Sequence, residues 1–155
     1  FCNDWSRQLF KSANSTGAKV HFGGKCITIE GPRNSTKAES HLFRSWGMCI
    51  IGKTATPEAF LAREAEMCYA TLAHVTDYDV WHVSVEPVTV DMVVKTLNKN
   101  THKAQDAIRH LAKNFTEESD CASHSALSTA LLTKPEAINQ YARVKLQPLI
   151  NKYIH

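Results

Sequence analysis

Two carboxylates, Asp77 and Asp79, stand two residues apart in the stretch VTDYDVW, directly after an apolar run, CYATLAH. Confined acids of this kind can share a proton or accept from the donor edge of a purine, because like charges in one site raise one pKa. They could also hold a divalent metal as a DxD loop, or serve a turn that hydrogen-bonds its own backbone. A second stretch, Gly52-Lys53-Thr54-Ala55-Thr56, feeds a helix start. Backbone N–H groups, hydroxyls and the helix dipole would suit a phosphate there, and a plain capped helix would read the same way. The glycine pattern of a Walker loop is absent.

The other reactive residues give weaker signals. Cys2, Cys26, Cys49, Cys68 and Cys121 are odd in number and widely spaced, with no CxxC. They read as reduced, mostly buried thiols of an intracellular protein. The eight histidines show no ligand spacing on one helix face, and His102 and His110 read as solvated. No metal site is expected.

Elements that would position these residues can be read from periodicity and caps. Residues 3–16 carry an amphipathic pattern, with Trp5, Leu9 and Phe10 on one face and Gly17 as a stop. VHF and residues 25–31 read as strands, the second ending in a Gly-Pro turn. A helix is expected over 35–46, with Leu42, Phe43 and Trp46 inward and Gly47 past its end. MCIIG and MCYATLAHV read as strands buried on both faces. Between them Thr56-Pro57-Glu58 supplies an N-cap, a first-turn proline and an acid near the dipole's positive end, for a helix running to about Glu66.

A long helix is expected over 89–115, with Met92, Val93, Leu97, Ile108 and Leu111 on its buried side. Two more follow at 123–132 and 136–152, with Pro148 kinking the last. Alternating strands and helices give the α/β class, in which ligands collect at the carboxyl ends of strands. The loops to watch are therefore IEGPRN, GKTATPE and TDYDVW.

The 155 residues suffice for one domain, and 43 % hydrophobic with 21 % charged residues is globular composition. A net charge of +3 with scattered lysines and arginines argues against nucleic acid as a partner. No apolar run approaches a membrane span. A cytoplasmic location fits best, with secretion kept as the alternative by three N-x-S/T sequons at Asn14, Asn34 and Asn114.

Taken together, TIEGPRNSTKAES, FRSWG, TPEAFLAREAEMCYAT and VTDYDVW resemble the C-terminal half of the trimeric purine nucleoside phosphorylase family, nearest the branch acting on S-methyl-5'-thioadenosine. The resemblance implies a mixed sheet flanked by helices. Residues 1–155 would be the C-terminal part of one such domain, with the N-terminal half in a companion segment or chain and a trimer as the assembly. It implies no cofactor, with phosphate as co-substrate, and cleavage of a purine nucleoside to base and sugar 1-phosphate. Asp77 and Asp79 match the pair that reads N7 and the exocyclic amine of an adenine. An acid at N7 stabilises the departing base. Thr54 matches the phosphate-contacting threonine, Thr76 joins the substrate-binding set, and Val90 with Val93 matches the apolar wall for a 5'-methylthio group.

Two positions depart from the family pattern. Asn34 stands where the family places a phenylalanine against the purine, a loss of about 1 kcal/mol of stacking. Gly52-Lys53 replaces Asn-Met, and an ammonium beside a developing oxocarbenium opposes the chemistry unless it turns toward phosphate. The family's Gly-rich and Arg-His phosphate loops match nothing in this chain. A second reading therefore stands beside the enzymatic one: a catalytically impaired phosphorylase-like subunit acting as a structural or binding component.

Overall fold

The computed structural model describes residues 1–82, 89–116 and 121–154. Helix α1 spans Asn3–Asn14. Strand β1 spans Cys26–Thr28 and β2 spans Ile50–Gly52; they pair in parallel, with Ile27 opposite Ile51. Helix α2, Lys37–Ser45, connects them. Helix α3, Ala55–Glu64, follows β2, then α4 at Val90–Asn114 and α5 at Gln140–Ile150. This is an α/β arrangement with a small parallel sheet flanked by helices.

Local chemistry explains the clearest boundaries. Thr36 caps α2 by accepting from Glu39 N while Glu39 reaches back to Thr36 N, the reciprocal capping box. The same helix ends with Gly47 at φ +74, Gly47 N donating to Arg44 O and Met48 N to Phe43 O. That is a Schellman closure, whose left-handed position suits glycine. Thr89 caps α4 through Met92 N, and Asn139 caps α5 through Ala142 N. Inside α3, Thr56 leaves helical geometry at φ −113, ψ 129. A residue before proline is pushed to extended backbone, so the regular turns start at Pro57, as the sequence implies.

α1 and α4 form the best-built part of the molecule. Small side chains at the crossing, Ala13 and Ala107 (4 % and 1 % exposed), let the helices approach. Trp5 meets Phe115 edge-on at 4.8 Å, and Gln8 exchanges two hydrogen bonds with the backbone of Thr116. His110 Nδ1 lies 3.2 Å from Ser12 Oγ, although its ring stays exposed.

Several expectations need correction. Neither VHF nor residues 67–75 forms a strand: no ladder partner for them stands among the described residues, and a strand exists only through its ladder. Residues 67–75 are held instead by single bonds, Cys2 N to Tyr69 O at 2.8 Å and Asn100 Nδ2 to Val75 O at 3.0 Å. MCIIG is half-buried, with Cys49 exposed, so it is not covered on both faces. Among the residues expected on the inner side of α4, Met92, Leu97 and Ile108 are exposed; the face turned to α1 centres on Ala107. Residues 122–125 make one 3-10 turn followed by turns, not a helix to 132, and 135–137 make another before α5. Pro148 lies in the last turn of α5, which ends at Ile150.

The core is thin. Phe60, Leu61, Leu132, Tyr141 and Val144 are all exposed. Apolar surface of that extent is left uncovered by this chain itself.

Candidate functional site

The three loops expected to carry chemistry are gathered by α2 and the two strands. Ile29 N donates to Gly52 O at 2.9 Å, which extends the parallel pairing to the point where the first two loops diverge. Beyond it, Lys53 Nζ donates to Asn34 Oδ1 at 3.0 Å and to Pro32 O at 3.4 Å. The two residues expected to depart from the family pattern thus pair with one another. The ammonium turns to an amide and a carbonyl of the neighbouring loop, which offsets part of the cost of placing it there. Thr28 and Thr56 hydroxyls meet at 3.4 Å beneath. Ser35 Oγ, next to Asn34, is buried with no hydrogen-bond partner among the described residues.

The aspartate loop is anchored from α2. Ser40, 1 % exposed, donates its hydroxyl to Asp79 Oδ2. One turn later on the same face, Arg44 lays its guanidinium 3.6 Å from the Trp81 ring centre. Asp79 Oδ1 accepts from Val80 N at 2.9 Å, and its carbonyl accepts from His82 N. Tyr78 stacks on His82 at 4.4 Å and meets Trp81 edge-on. The aromatics around the acids are therefore clamps that fix the loop. Asp77 is exposed and accepts from Thr76 Oγ1 at 2.6 Å.

Hydrogen bonds thus join Asn34 with Lys53 and Thr76 with Asp77. Thr54 is exposed at the start of α3 and makes no side-chain cap bond. Val90 is 78 % exposed and Val93 half-buried, on the first turn of α4. Sequence reasoning missed Ser40 and Arg44. Their spacing, one helical turn, was the available signal.

Ion pairing sets the electrostatics at the rim. Arg33 donates to both Glu39 oxygens, 2.6 and 2.7 Å, and with the Thr36 bonds this holds Glu39 down at about 2. Glu66, at φ +56 after α3, accepts from Tyr153, from Leu127 N at 3.0 Å and from Lys152 at 3.1 Å, which also holds it at about 2.

A different group assembles on the far side of α3. All five cysteines are free thiols, and only Cys2 is buried, so the expectation of mostly buried thiols is corrected. Cys26 and Cys49 are exposed because the two-stranded sheet leaves their sides uncovered. Cys2, Cys68 and Cys121 come together, with Cys121 Sγ 3.4 Å from Cys2 Sγ. Cys68 and the amide and hydroxyl of Ser123 hold Cys121 down at about 6, while burial and its sulfur neighbours push Cys68 up to about 12.

The family model described as the phosphorylase superfamily matches residues 1–113. The chain is 50 % identical over 136 residues to an S-methyl-5'-thioadenosine phosphorylase of Gloeobacter violaceus, covering 87 % of this chain and 46 % of that protein. The corresponding enzyme of Geobacter sulfurreducens is 42 % identical over 153 residues, 99 % of this chain and 54 % of the relative. Among solved structures, a methylthioadenosine phosphorylase from an antarctic soil metagenomic library superposes with TM-score 0.86 at 37 % identity, covering 96 % of this chain and 53 % of that one. The Schistosoma mansoni methylthioadenosine phosphorylase in complex with adenine gives TM-score 0.68 at 30 % identity over 77 % of this chain and 47 % of that one. The chain spans about half the length of the relatives it matches. No helix among the described residues is long and apolar enough to cross a membrane. By sequence and by fold, the chain belongs to the phosphorylase superfamily.

Proposed function

We propose that residues 1–155 are the C-terminal part of a phosphorylase domain that cleaves S-methyl-5'-thioadenosine with phosphate, releasing adenine and a ribose 1-phosphate. The observation that carries this reading is the aspartate loop, whose second acid is pinned by Ser40 and whose first is exposed. A fixed Asp79 and an available Asp77 suit an adenine, which offers a donor amine and needs a proton or hydrogen bond at N7 as the glycosidic bond breaks. Each Asp79 oxygen keeps a second lone pair after accepting from Ser40 and Val80, so the amine can still be read.

Around that base, Thr54 at the start of α3 would contact phosphate, and the helix dipole favours the anion there. Val90 and Val93 would line the methylthio group, and Thr76 would steady Asp77. The phosphate loops that the family uses would come from a companion half, which would also cover Phe60, Leu61 and the other exposed apolar side chains. A trimer is the assembly this reading favours, and the cytoplasm the compartment.

The pairing of Lys53 with Asn34 favours a second reading in one respect. Two polar residues satisfying each other where the family presents a ring and a thioether describe an altered pocket, as in a binding subunit without catalysis. Asp77→Asn separates the two. Loss of phosphate-dependent adenine release in the complete assembly supports the enzyme. An assembly function left intact, with no adenine release from the parent protein, supports the binding subunit.

A further inference from the structure

The cysteine cluster lies apart from the aspartate loop and takes no part in the proposed phosphorolysis. Three separate elements build it. The residue before α1 contributes Cys2, the segment after α3 contributes Cys68, and the 3-10 turn after α4 is capped by Cys121. Their Sγ atoms all lie within 4.8 Å of one another. The Nε2 of His124 is 3.4 Å from Cys68 Sγ. One turn of chain separates His124 from Cys121 in a Cys-x2-His spacing, and the exposed imidazole stands at the edge of the mutual set of three thiols, meeting it through Cys68.

The three thiols match the needs of a soft cation, and rotation of the exposed His124 side chain would bring in a fourth ligand. Zinc–sulfur bonds in a tetrahedron set the sulfurs about 3.8 Å apart. That value falls between the 3.4 Å contact of Cys2 with Cys121 and the 4.8 Å limit on the set. The surroundings also suit charge. Ser123 N lies 3.5 Å from Cys121 Sγ as a donor, the kind of outer contact that steadies a ligating thiolate. Arg63 reaches Ser123 Oγ at 3.5 Å, and Lys152 donates to His124 O at 2.6 Å. Arg63 therefore sets positive charge beside a group that would carry one net negative charge when three thiolates bind a divalent ion, while the charge of Lys152 is shared with Glu66. Cys2 is 3 % exposed, which limits water at the centre.

We propose that Cys2, Cys68, Cys121 and His124 form a structural binding site for zinc or a cation of the same class, tying the start of α1 to the turn after α4. Binding releases to solvent the protons of those thiols still protonated and forms three metal–sulfur bonds and one bond to a neutral imidazole. No electron changes hands. The site is independent of the phosphorylase reading and stands or falls without it.

Cobalt(II) is the probe. The intact protein, reduced with a phosphine and stripped with a chelator, is titrated with cobalt and then with zinc. One cobalt per chain should bind, with a strong thiolate-to-cobalt charge-transfer band and visible bands of tetrahedral intensity, and zinc should displace it. Zinc should raise the melting temperature and chelator should reverse the rise. Cys121→Ser and the exposed His124→Ala should each weaken cobalt binding by at least about tenfold. The Cys26→Ser, Cys49→Ser double variant should bind as the parent does. Reduced protein that shows no thiolate band overturns the proposal, including the case in which Cys2 and Cys121 are found as a disulfide before reduction. A band that survives unchanged in Cys121→Ser or His124→Ala also overturns the four-residue site.

Discussion

The aspartate loop and the cysteine cluster are assembled in opposite ways. Asp77 and Asp79 are neighbours in the chain, so their types and spacing suggest a candidate site before any folding is considered. Folding adds only the clamps, Ser40 and Arg44 on one face of α2. Cys2, Cys68 and Cys121 have no local pattern. They meet because the segment before α1 hydrogen-bonds to residue 69 and the chain after α4 turns back over both. Chemistry written in one segment can be read from sequence, whereas chemistry made by convergence cannot.

The comparison can be broken most forcefully at Asp77. If the loop is catalytic, Asp77→Asn in the complete assembly should lower kcat/KM for phosphorolysis by about 100-fold or more, the ordinary share of a general acid. Unchanged kinetics in an active assembly would remove that residue from the chemistry. The next effect is structural. Ala107→Leu overpacks the α1–α4 crossing and should cost about 2 kcal/mol in denaturant unfolding, because no space beside Ala13 accepts the added carbons. A neutral result would mean that the crossing is looser than its burial implies.

Thr36→Ala removes the capping box that starts α2 and should cost about 1 kcal/mol by the same measurement. Because α2 carries Ser40 and Arg44, it should also loosen the aspartate loop, seen as faster amide exchange at Val80. Smaller still is the coupling of the two departures. Lys53→Met, Asn34→Phe and their combination should be non-additive by about 0.5 kcal/mol in stability. Strict additivity would mean that the hydrogen bond between them contributes nothing.

Acid gives the last test. Glu39 and Glu66 sit at about 2 rather than the usual 4.5, held there chiefly by Arg33 and by Tyr153. A carboxylate depressed in the folded state contributes stability above its ordinary value and loses it as pH falls toward its folded one. The unfolding midpoint should therefore decline between pH 4.5 and about 2, and Glu66→Gln should flatten that decline.

The contrast between local and convergent features also explains what the sequence revealed of the fold. The extents of helices α1, α2 and α4 were legible because apolar spacing and stops such as Gly17 and Gly47 lie within the segments, although Leu42 and Trp46, expected inward on α2, are exposed. The first-turn Pro57 and Glu58 of α3 were legible too, although Thr56, expected as the N-cap, gives its hydroxyl to Thr28. Residues 67–75 misled: an apolar run shows strand propensity, but the ladder that makes a strand needs a partner from elsewhere in the chain. The buried face of α4 was misplaced because apolar type marked Leu97 and Ile108, while close helix approach selected Ala107. At the candidate site the acids and Thr54 could be proposed from sequence, but the bond from Lys53 to Asn34 could not. It joins two loops whose distance only the parallel pairing of β1 with β2 determines.

The central claim is tested most directly by incubating the complete assembly, this chain together with its companion half, with S-methyl-5'-thioadenosine, with and without phosphate, and measuring free adenine. Adenine released only when phosphate is present, together with a methylthioribose 1-phosphate, is the result this account predicts. No adenine at high protein concentration, or release that ignores phosphate, would contradict it.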